Sequence, residues 1–416
     1  MFLTRRIKEN VPRKLLFIFE FLAVLLLLMY QAKVPDLKTI INALVFLLIV
    51  YLSNFILIKV SDGDNYIFLI ATMLVSIGAI MIYRLDASLG IRQLVWVFIG
   101  IVCFYITYFL LRYIRIWDRL SYLYIALSYI LFISTLVLGD RTFGSINWIE
   151  IKALGMKLQP AEFIKILLIF IIAGYYSNYD KFKERKYASY IFLGLMYSFI
   201  GFLFLQRDLG MALMFYAIFI CLQFMFEENR KLILYNIGLF LVAGIAGYFL
   251  FSHVRIRVET WINPWISIND KGYQITQSLF AIAEGGFFGK GLGLGHPEFI
   301  PLPYNDFIFS AIIEEMGIFT GIGIIMLFLI LFYRGFKIAM SQSNKFYKIL
   351  ALGISVLFCV QSFIIIGGVI KLIPLTGITL PFISYGGSSL VASFISLGIL
   401  QAASEDIESK VKIDGE

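Results

Sequence analysis

Twelve apolar runs, at residues 14–32, 39–59, 66–84, 92–112, 119–139, 161–177, 187–205, 208–226, 231–251, 307–333, 348–370 and 381–403, constrain this chain more than any motif in it. Each is long enough for a helix to cross the ~30 Å hydrocarbon core of a bilayer. In hydrocarbon a helix satisfies its own backbone, whereas irregular backbone must be buried in protein or line a wet cavity. The expected fold is therefore an all-α polytopic membrane protein of about twelve transmembrane helices. Composition agrees, since 60% of the 416 residues are hydrophobic and only 15% are charged, an excess that no soluble core of this size requires. The basic start "MFLTRRIKENVPRK" is followed by a run long enough to span, with no A-x-A-like cleavage site, and reads as the first span.

Charge orients the helices. With both termini cytoplasmic, about 21 Lys and Arg fall on inner segments and about 13 on outer ones, and the rule that basic loops stay inside favours that arrangement. Arg5, Arg6, Lys8, Arg112, Arg115, Arg119, Lys181, Arg185, Lys186, Lys337 and Lys345 are among the inner set. The net charge of +8 is thus explained by topology, and nucleic acid is not an expected partner. Cys103, Cys221 and Cys359 all lie in apolar runs and read as small core residues, with neither a disulfide nor a metal framework. The long connections 140–160 and 252–306 face outward, and long ordered loops usually carry function. Residues 1–62 read as two accessory helices, 63–405 as a ten-helix core and 406–416 as a cytoplasmic tail.

Several polar stretches need a reason to sit among these runs. "LQPAEFIKILL" puts Glu162 and Lys165 on one helix face just after Pro160. "FLQRDLGMAL" places Arg207 and Asp208 in a short outer turn. "GGFFGKGLGLG" is glycine-rich but lacks the spacing and Lys-Ser/Thr pair of a nucleotide loop, so close backbone approach or a flexible lid is its expected use. "PLPYNDFIFSAIIEEMG" carries Asp306 at a helix start and Glu314–Glu315 two turns further in, where paired carboxylates demand a cation or a polar partner. His253 and His296 are too few for a His-rich metal site, and no G-x-S-x-G signals a serine hydrolase. "LPFISYGGSSL" inserts Pro381, Gly386, Gly387 and three serines between apolar runs, so it must pack inside protein.

Taken in order, "QPAEFIK", "QRDLG", "GYQITQSLFAIAEGGFFGKGLGLG", "NDFIFSAIIEEMG" and "PLTGITLPFISYGGSSL" resemble the SEDS family of bacterial cell-envelope proteins (RodA, FtsW and SpoVE), over about residues 65–403. The two extra N-terminal helices resemble a RodA-like subgroup. The resemblance implies a multi-pass protein of the bacterial cytoplasmic membrane. It would polymerise lipid II, the undecaprenyl-linked disaccharide peptide, at the outer leaflet, together with a class B penicillin-binding protein. It also implies substrate contacts for Glu162, Lys165, Asp208, Gln274, Lys290, Asp306, Glu315, Ser384 and Ser388. Four features depart from the family pattern. The loop aspartate of N-P-W-x-D is Ser267 in "NPWISINDKGYQ", with Asp270 three residues later. The family's G-A-R-R-W is "GSINW" here, the proline of Q-P-D-L-G is Arg207, and H-T-D is Tyr304-Asn305-Asp306.

Glycan polymerisation needs a carboxylate to take the acceptor hydroxyl's proton and cations to stabilise the departing pyrophosphate. Lys165 is the expected cation, with Arg207, Arg255 or Lys290 in support. The only cofactor the chemistry invites is a divalent cation such as Mg. Serine cannot act as the base at neutral pH. Asp270 is the displaced candidate, Glu259 and Asp306 are further ones, and a catalytically silent regulatory or binding subunit or a lipid II flippase is the alternative.

Overall fold

The computed structural model describes residues 2–31, 37–142, 145–151, 156–183 and 187–405. The expected tail at 406–416, and Arg185 and Lys186, lie outside the described residues. The chain runs α1 (Phe2–Gln31), α2 (Leu37–Val60), α3 (Asn65–Leu85), α4 (Ala87–Tyr113) and α5 (Ser121–Leu138), then the strands β1 (Asp140–Thr142), β2 (Ser145–Ile151) and β3 (Met156–Leu158). It continues through α6 (Ala161–Ser177), α7 (Tyr179–Lys183), α8 (Ala188–Leu205), α9 (Leu209–Phe226) and α10 (Arg230–Leu250). After these come α11 (Ser252–Ile262), α12 (Tyr273–Gly285), α13 (Ile308–Ser341), α14 (Lys345–Val369) and α15 (Gly387–Ala403). A helix lies at each of the twelve apolar runs, with α7, α11 and α12 as additional short elements. Among the described residues, nine helices are long and apolar enough to cross a membrane. The chain is a multi-pass helical membrane protein.

Polar side chains set the ends of these helices. Asp64, Asp86, Asp208, Asn229 and Asn344 cap α3, α4, α9, α10 and α14 by accepting from first-turn N–H groups, which would otherwise lack partners. Helices α3 and α14 bury most of their residues and form the centre with α6 and α15, whereas α5 and α10 turn most of their side chains outward. Outward apolar faces on helices of this kind are suited to lipid.

The accessory helices reach the core through polar contacts at membrane depth. Ser76 of α3 donates to Glu20 of α1 at 2.5 Å, and Asn54 of α2 donates to Thr72 of α3 at 3.3 Å. At one end of the bundle, Arg334 forks onto Asp64 at 2.8 Å, and Glu405 accepts from Ser61, Tyr108 and Arg112. A cavity of about 240 Å³ opens at this end, lined by Arg112, Arg115, Trp117, Asn344 and Glu405 among others. It lies at the other end of the bundle from the sequence motifs. Those meet where the β-sheet, α11, α12 and the non-helical residues 371–386 converge.

Candidate functional site

The antiparallel sheet β1-β2-β3 folds over that end between α5 and α6. It is tied down where Ile146 N–H donates to Gln206 O at 3.0 Å. This sets Asn147 to donate to Asp208 Oδ2 at 3.1 Å, an oxygen that also accepts from Gln159 Nε2 at 3.1 Å. The other oxygen of Asp208 accepts from Met211 N–H, so one carboxylate caps α9 and joins the sheet to α6. Asn147 stands where the family resemblance puts an arginine, and Arg207, held at φ 59°, brings a cation whose charge acts on His253.

One turn into α6, Lys165 and Glu162 form a direct ion pair that is almost fully enclosed, with side chains 1% and 3% exposed. Lys165 Nζ also donates to Gln361 Oε1 at 3.1 Å, and Gln361 Nε2 donates to Thr379 O at 2.8 Å. The lysine expected at the pyrophosphate thus braces α6 against α14 and the 371–386 segment. The serines of "SYGGSS" are engaged in the same way. Ser384 Oγ donates to Asn305 O at 2.8 Å and accepts from Leu380 N–H at 2.9 Å, Ser388 Oγ accepts from Gln159 N–H at 3.1 Å, and Ser389 Oγ accepts from Thr379 at 2.6 Å. The irregular backbone is satisfied inside protein, as membrane depth requires. Close approach explains a glycine opposite it: a Cβ on Gly78 of α3 would lie 2.3 Å from Ile383 O. Gly78→Ala is expected to lower the melting temperature of the detergent-purified protein, at a cost of about 1–3 kcal/mol for overpacking. An unchanged melt would show that this contact relaxes freely.

The glycine loop is held by the paired glutamates. Glu315 pairs with Arg84 at 3.0 Å and accepts from Gly293 N–H at 2.9 Å, while Glu314 accepts from His296 N–H at 2.6 Å. Lys290 and Gly291 N–H donate to the backbone of Glu314 and Glu315, and α13 breaks at Gly317 (φ 84°) to admit the loop. Glu315 is therefore a buried clamp on the loop, with its carboxylate already partnered. Lys290 pairs with Glu284 at the surface. Asp270 and Gln274 are exposed on the turn into α12, and no hydrogen bond or ion pair joins them to Glu162, Lys165, Asp208 or Asp306 among the described residues. Glu259 is likewise exposed.

Two residues away from the expected Arg255 sits Arg257, which the sequence reading did not single out. Its Nη1 donates to Thr376 O at 2.7 Å, and its charge acts on both Asp306 and Asp208. Arg255 is exposed, with its guanidinium 5.9 Å from the Tyr248 ring centroid. Next to Arg257, His253 has a buried Nε2 with no hydrogen-bond partner, and burial together with the nearby Arg257 and Arg207 charges lowers its pKa. Asp306 lies half-buried on the other side of Arg257, its pKa raised to about 6 by burial against the opposing pull of that arginine. The resulting outer cluster has a carboxylate at Asp306, a guanidinium in the middle, and a second cation at Arg207 beside the His253 imidazole, whose positive charge the neighbouring arginines disfavour. Such a surface can accept a proton at one end and hold an anion at the other.

Comparison with known proteins places this architecture. The cell cycle protein family of FtsW, RodA and SpoVE matches residues 64–409. The chain is 33% identical over 365 residues to the peptidoglycan glycosyltransferase RodA of Mycobacterium bovis, covering 81% of this chain and 77% of that protein. It is 32% identical over 362 residues to the stage V sporulation protein E of Bacillus subtilis, covering 82% and 97%. Among solved structures it is similar to a chain of a peptidoglycan synthase complex, with TM-score 0.70, 25% identity and coverage of 82% and 98%. It also resembles the rod shape determining protein RodA of Thermus thermophilus in fold, with TM-score 0.62, 24% identity and coverage of 82% and 97%. With a family match across most of its length and relatives above 30% identity on both sides of the RodA and SpoVE branches, the chain belongs to the SEDS family of FtsW, RodA and SpoVE proteins.

Proposed function

We propose that this protein is a peptidoglycan glycosyltransferase that polymerises lipid II at the outer leaflet of the bacterial cytoplasmic membrane. The observation that carries the reading is the outer cluster of Asp306, Arg257, Asp208 and His253 in a member of a family whose relatives bear that activity in their names. The chemistry needs an acceptor for the sugar hydroxyl's proton and cations for the departing pyrophosphate; the cluster offers both. A class B penicillin-binding protein is the partner this reading calls for, and the similarity to a chain of a peptidoglycan synthase complex supports it. Among the described residues no group of three His, Cys, Asp or Glu side chains gathers as a metal cage. A divalent cation such as Mg, where used, would enter with the substrate's pyrophosphate, because this ion is commonly held by one or two carboxylates plus substrate phosphates.

Glycan chain formation from purified lipid II, with and without the partner, tests the reading directly. Product in the presence of the partner is the expected result, and its absence under conditions that support a family relative would defeat it. The second reading, a silent regulatory or transporting homologue, is favoured by one observation: Ser267 occupies the loop aspartate's slot.

The same reading puts both termini in the cytoplasm and residues 252–306 outside. A cysteine replacing Lys271 is expected to react with an impermeant thiol reagent in intact cells, and one replacing Lys181 only after permeabilisation. The reverse pattern would invert the topology.

A further inference from the structure

We infer that the cavity between the end of α4 and the start of α14, at the opposite end of the bundle from the outer cluster, binds the phosphate of an anionic phospholipid headgroup. The inference is independent of the glycosyltransferase reading and concerns residues that take no part in it.

The cavity holds about 240 Å³, below the roughly 300–1,000 Å³ of drug-sized sites and suited to a headgroup. Arg112 and Arg115 line it from the α4 side, and Asn344 lines it from the start of α14. Arg112 is already committed. Its Nη1 donates to Val60 O at 2.7 Å, and its Nε pairs with Glu405 Oε2 at 3.1 Å. Glu405 is consumed in turn, since it also accepts from Ser61 Oγ at 2.7 Å and from Asp62 N–H at 3.1 Å.

What remains is an excess of donors. Arg115 is exposed, and no hydrogen bond or ion pair engages its guanidinium among the described residues. Asn344 Oδ1 accepts from Phe346 N–H at 2.9 Å and from Tyr347 N–H at 3.4 Å. Those bonds fix the amide so that Nδ2, a donor with no partner among the described residues, is its free half. Trp117 adds an indole Nε1 that is buried without a hydrogen bond, a costly state for a donor. The positive end of the 25-residue helix α14 lies beside them. Asp118 is the one acidic side chain of the lining besides Glu405, and it pairs with neither arginine among the described residues. Unpartnered donors on both walls, next to a helix N-terminus, suit an anion with several oxygens.

The wall carrying Arg115 points to a lipid as the source of that anion. Arg112, Arg115 and Trp117 line the cavity, while Tyr113, Ile114 and Ile116 between them are exposed, Tyr113 at 71% and Ile116 at 50%. The chain thus alternates between cavity and exterior, so this wall is a single chain thick and its outer side is largely apolar. Tyr122, at the start of α5, is 84% exposed and lengthens that apolar side. A phosphate held at Arg115 would leave its acyl chains to lie along it. Basic pockets between membrane helices near the leaflet surface bind anionic headgroups in this way, and tyrosines suit the same depth. A soluble phosphate would have no use for the outer side. With the topology proposed above, the leaflet is the inner one.

The test titrates full-length protein in detergent with dioctanoyl phosphatidylglycerol, dioctanoyl phosphatidylcholine or glycerol 1-phosphate, reading the melting temperature. Phosphatidylglycerol is expected to raise it saturably, at a half-saturating concentration well below that of the zwitterionic lipid. Arg115→Gln should weaken that response about tenfold or more, the loss of one charge-assisted contact. Arg115 makes no contact that folding needs, so without lipid the variant should melt as wild type does. Arg115→Lys keeps the charge without the planar fork and should fall in between. Arg119→Gln serves as the control, because Arg119 is an exposed neighbour that does not line the cavity, and it should respond as wild type does. Equal losses in Arg115→Gln and Arg119→Gln would reduce the effect to diffuse surface charge and overturn the inference. So would wild-type affinity in Arg115→Gln, or an equal response to the two lipids. Saturation by glycerol 1-phosphate at the lipid's own concentration would overturn the lipid assignment and make this a site for soluble phosphates.

Discussion

Lys165→Met is expected to destabilise the protein by about 3–5 kcal/mol, the cost of leaving a buried charge without its partner. The substitution strands Glu162, whose side chain is 3% exposed, and also removes the donor to Gln361 Oε1. A purified sample should melt well below wild type or fail to accumulate. Pairing it with Glu162→Gln removes the orphaned charge and supplies an amide that can donate toward Gln361. Most of the stability should return in that double variant, since replacing a buried pair by neutral groups is often neutral or better. The two measurements separate bracing from substrate contact. Should the double variant be stable yet bind lipid II more than tenfold more weakly, Lys165 would be a pyrophosphate ligand after all.

The helices were legible because the constraint that fixes them acts locally. A run of apolar residues long enough to span leaves little choice but a helix, and a helix lies at each of the twelve runs, the last of them beginning only at Gly387. The sheet β1-β2-β3 was not legible, since its three short strands have no apolar run of their own and are fixed by contacts such as Ile146 to Gln206. The motifs pointed to the right end of the molecule but not to the duty of each residue. Type and position say that Glu162, Lys165, Glu315, Ser384 and Ser388 are polar in an apolar setting. They do not say whether a partner inside the protein already occupies them, and here one does in every case.

Arg257 shows the same limit from the other side. Arg255 and Arg257 look equivalent in "VRIRVET", yet at about 100° per residue two positions on a helix lie roughly 200° apart. One therefore faces the outer cluster and the other faces away. Nothing in the spacing says which. Ser267 remains the feature most at odds with activity, and the free carboxylate of Asp306 is the structure's counterweight to it.

Arg257→Ala is expected to weaken lipid II binding by tenfold or more. A hydrogen bond to a charged group contributes about 1.5–3 kcal/mol, against 1.4 kcal/mol for each factor of ten. Of its five donors, the structure engages Nη1 with Thr376 O and leaves the rest of the fork facing the cluster. The loss should shrink as salt is raised, since part of the attraction is between exposed charges that ions screen. Arg257→Lys keeps the charge but not the planar fork, so its affinity should fall between wild type and Arg257→Ala. Isothermal titration or fluorescence with a labelled lipid II analogue in detergent reads all three proteins under one condition. Equal affinities across them, with folding intact, would remove Arg257 from the substrate's path. The cationic end of the cluster would then rest on Arg207, whose charge is the one this chain carries in place of the family's proline.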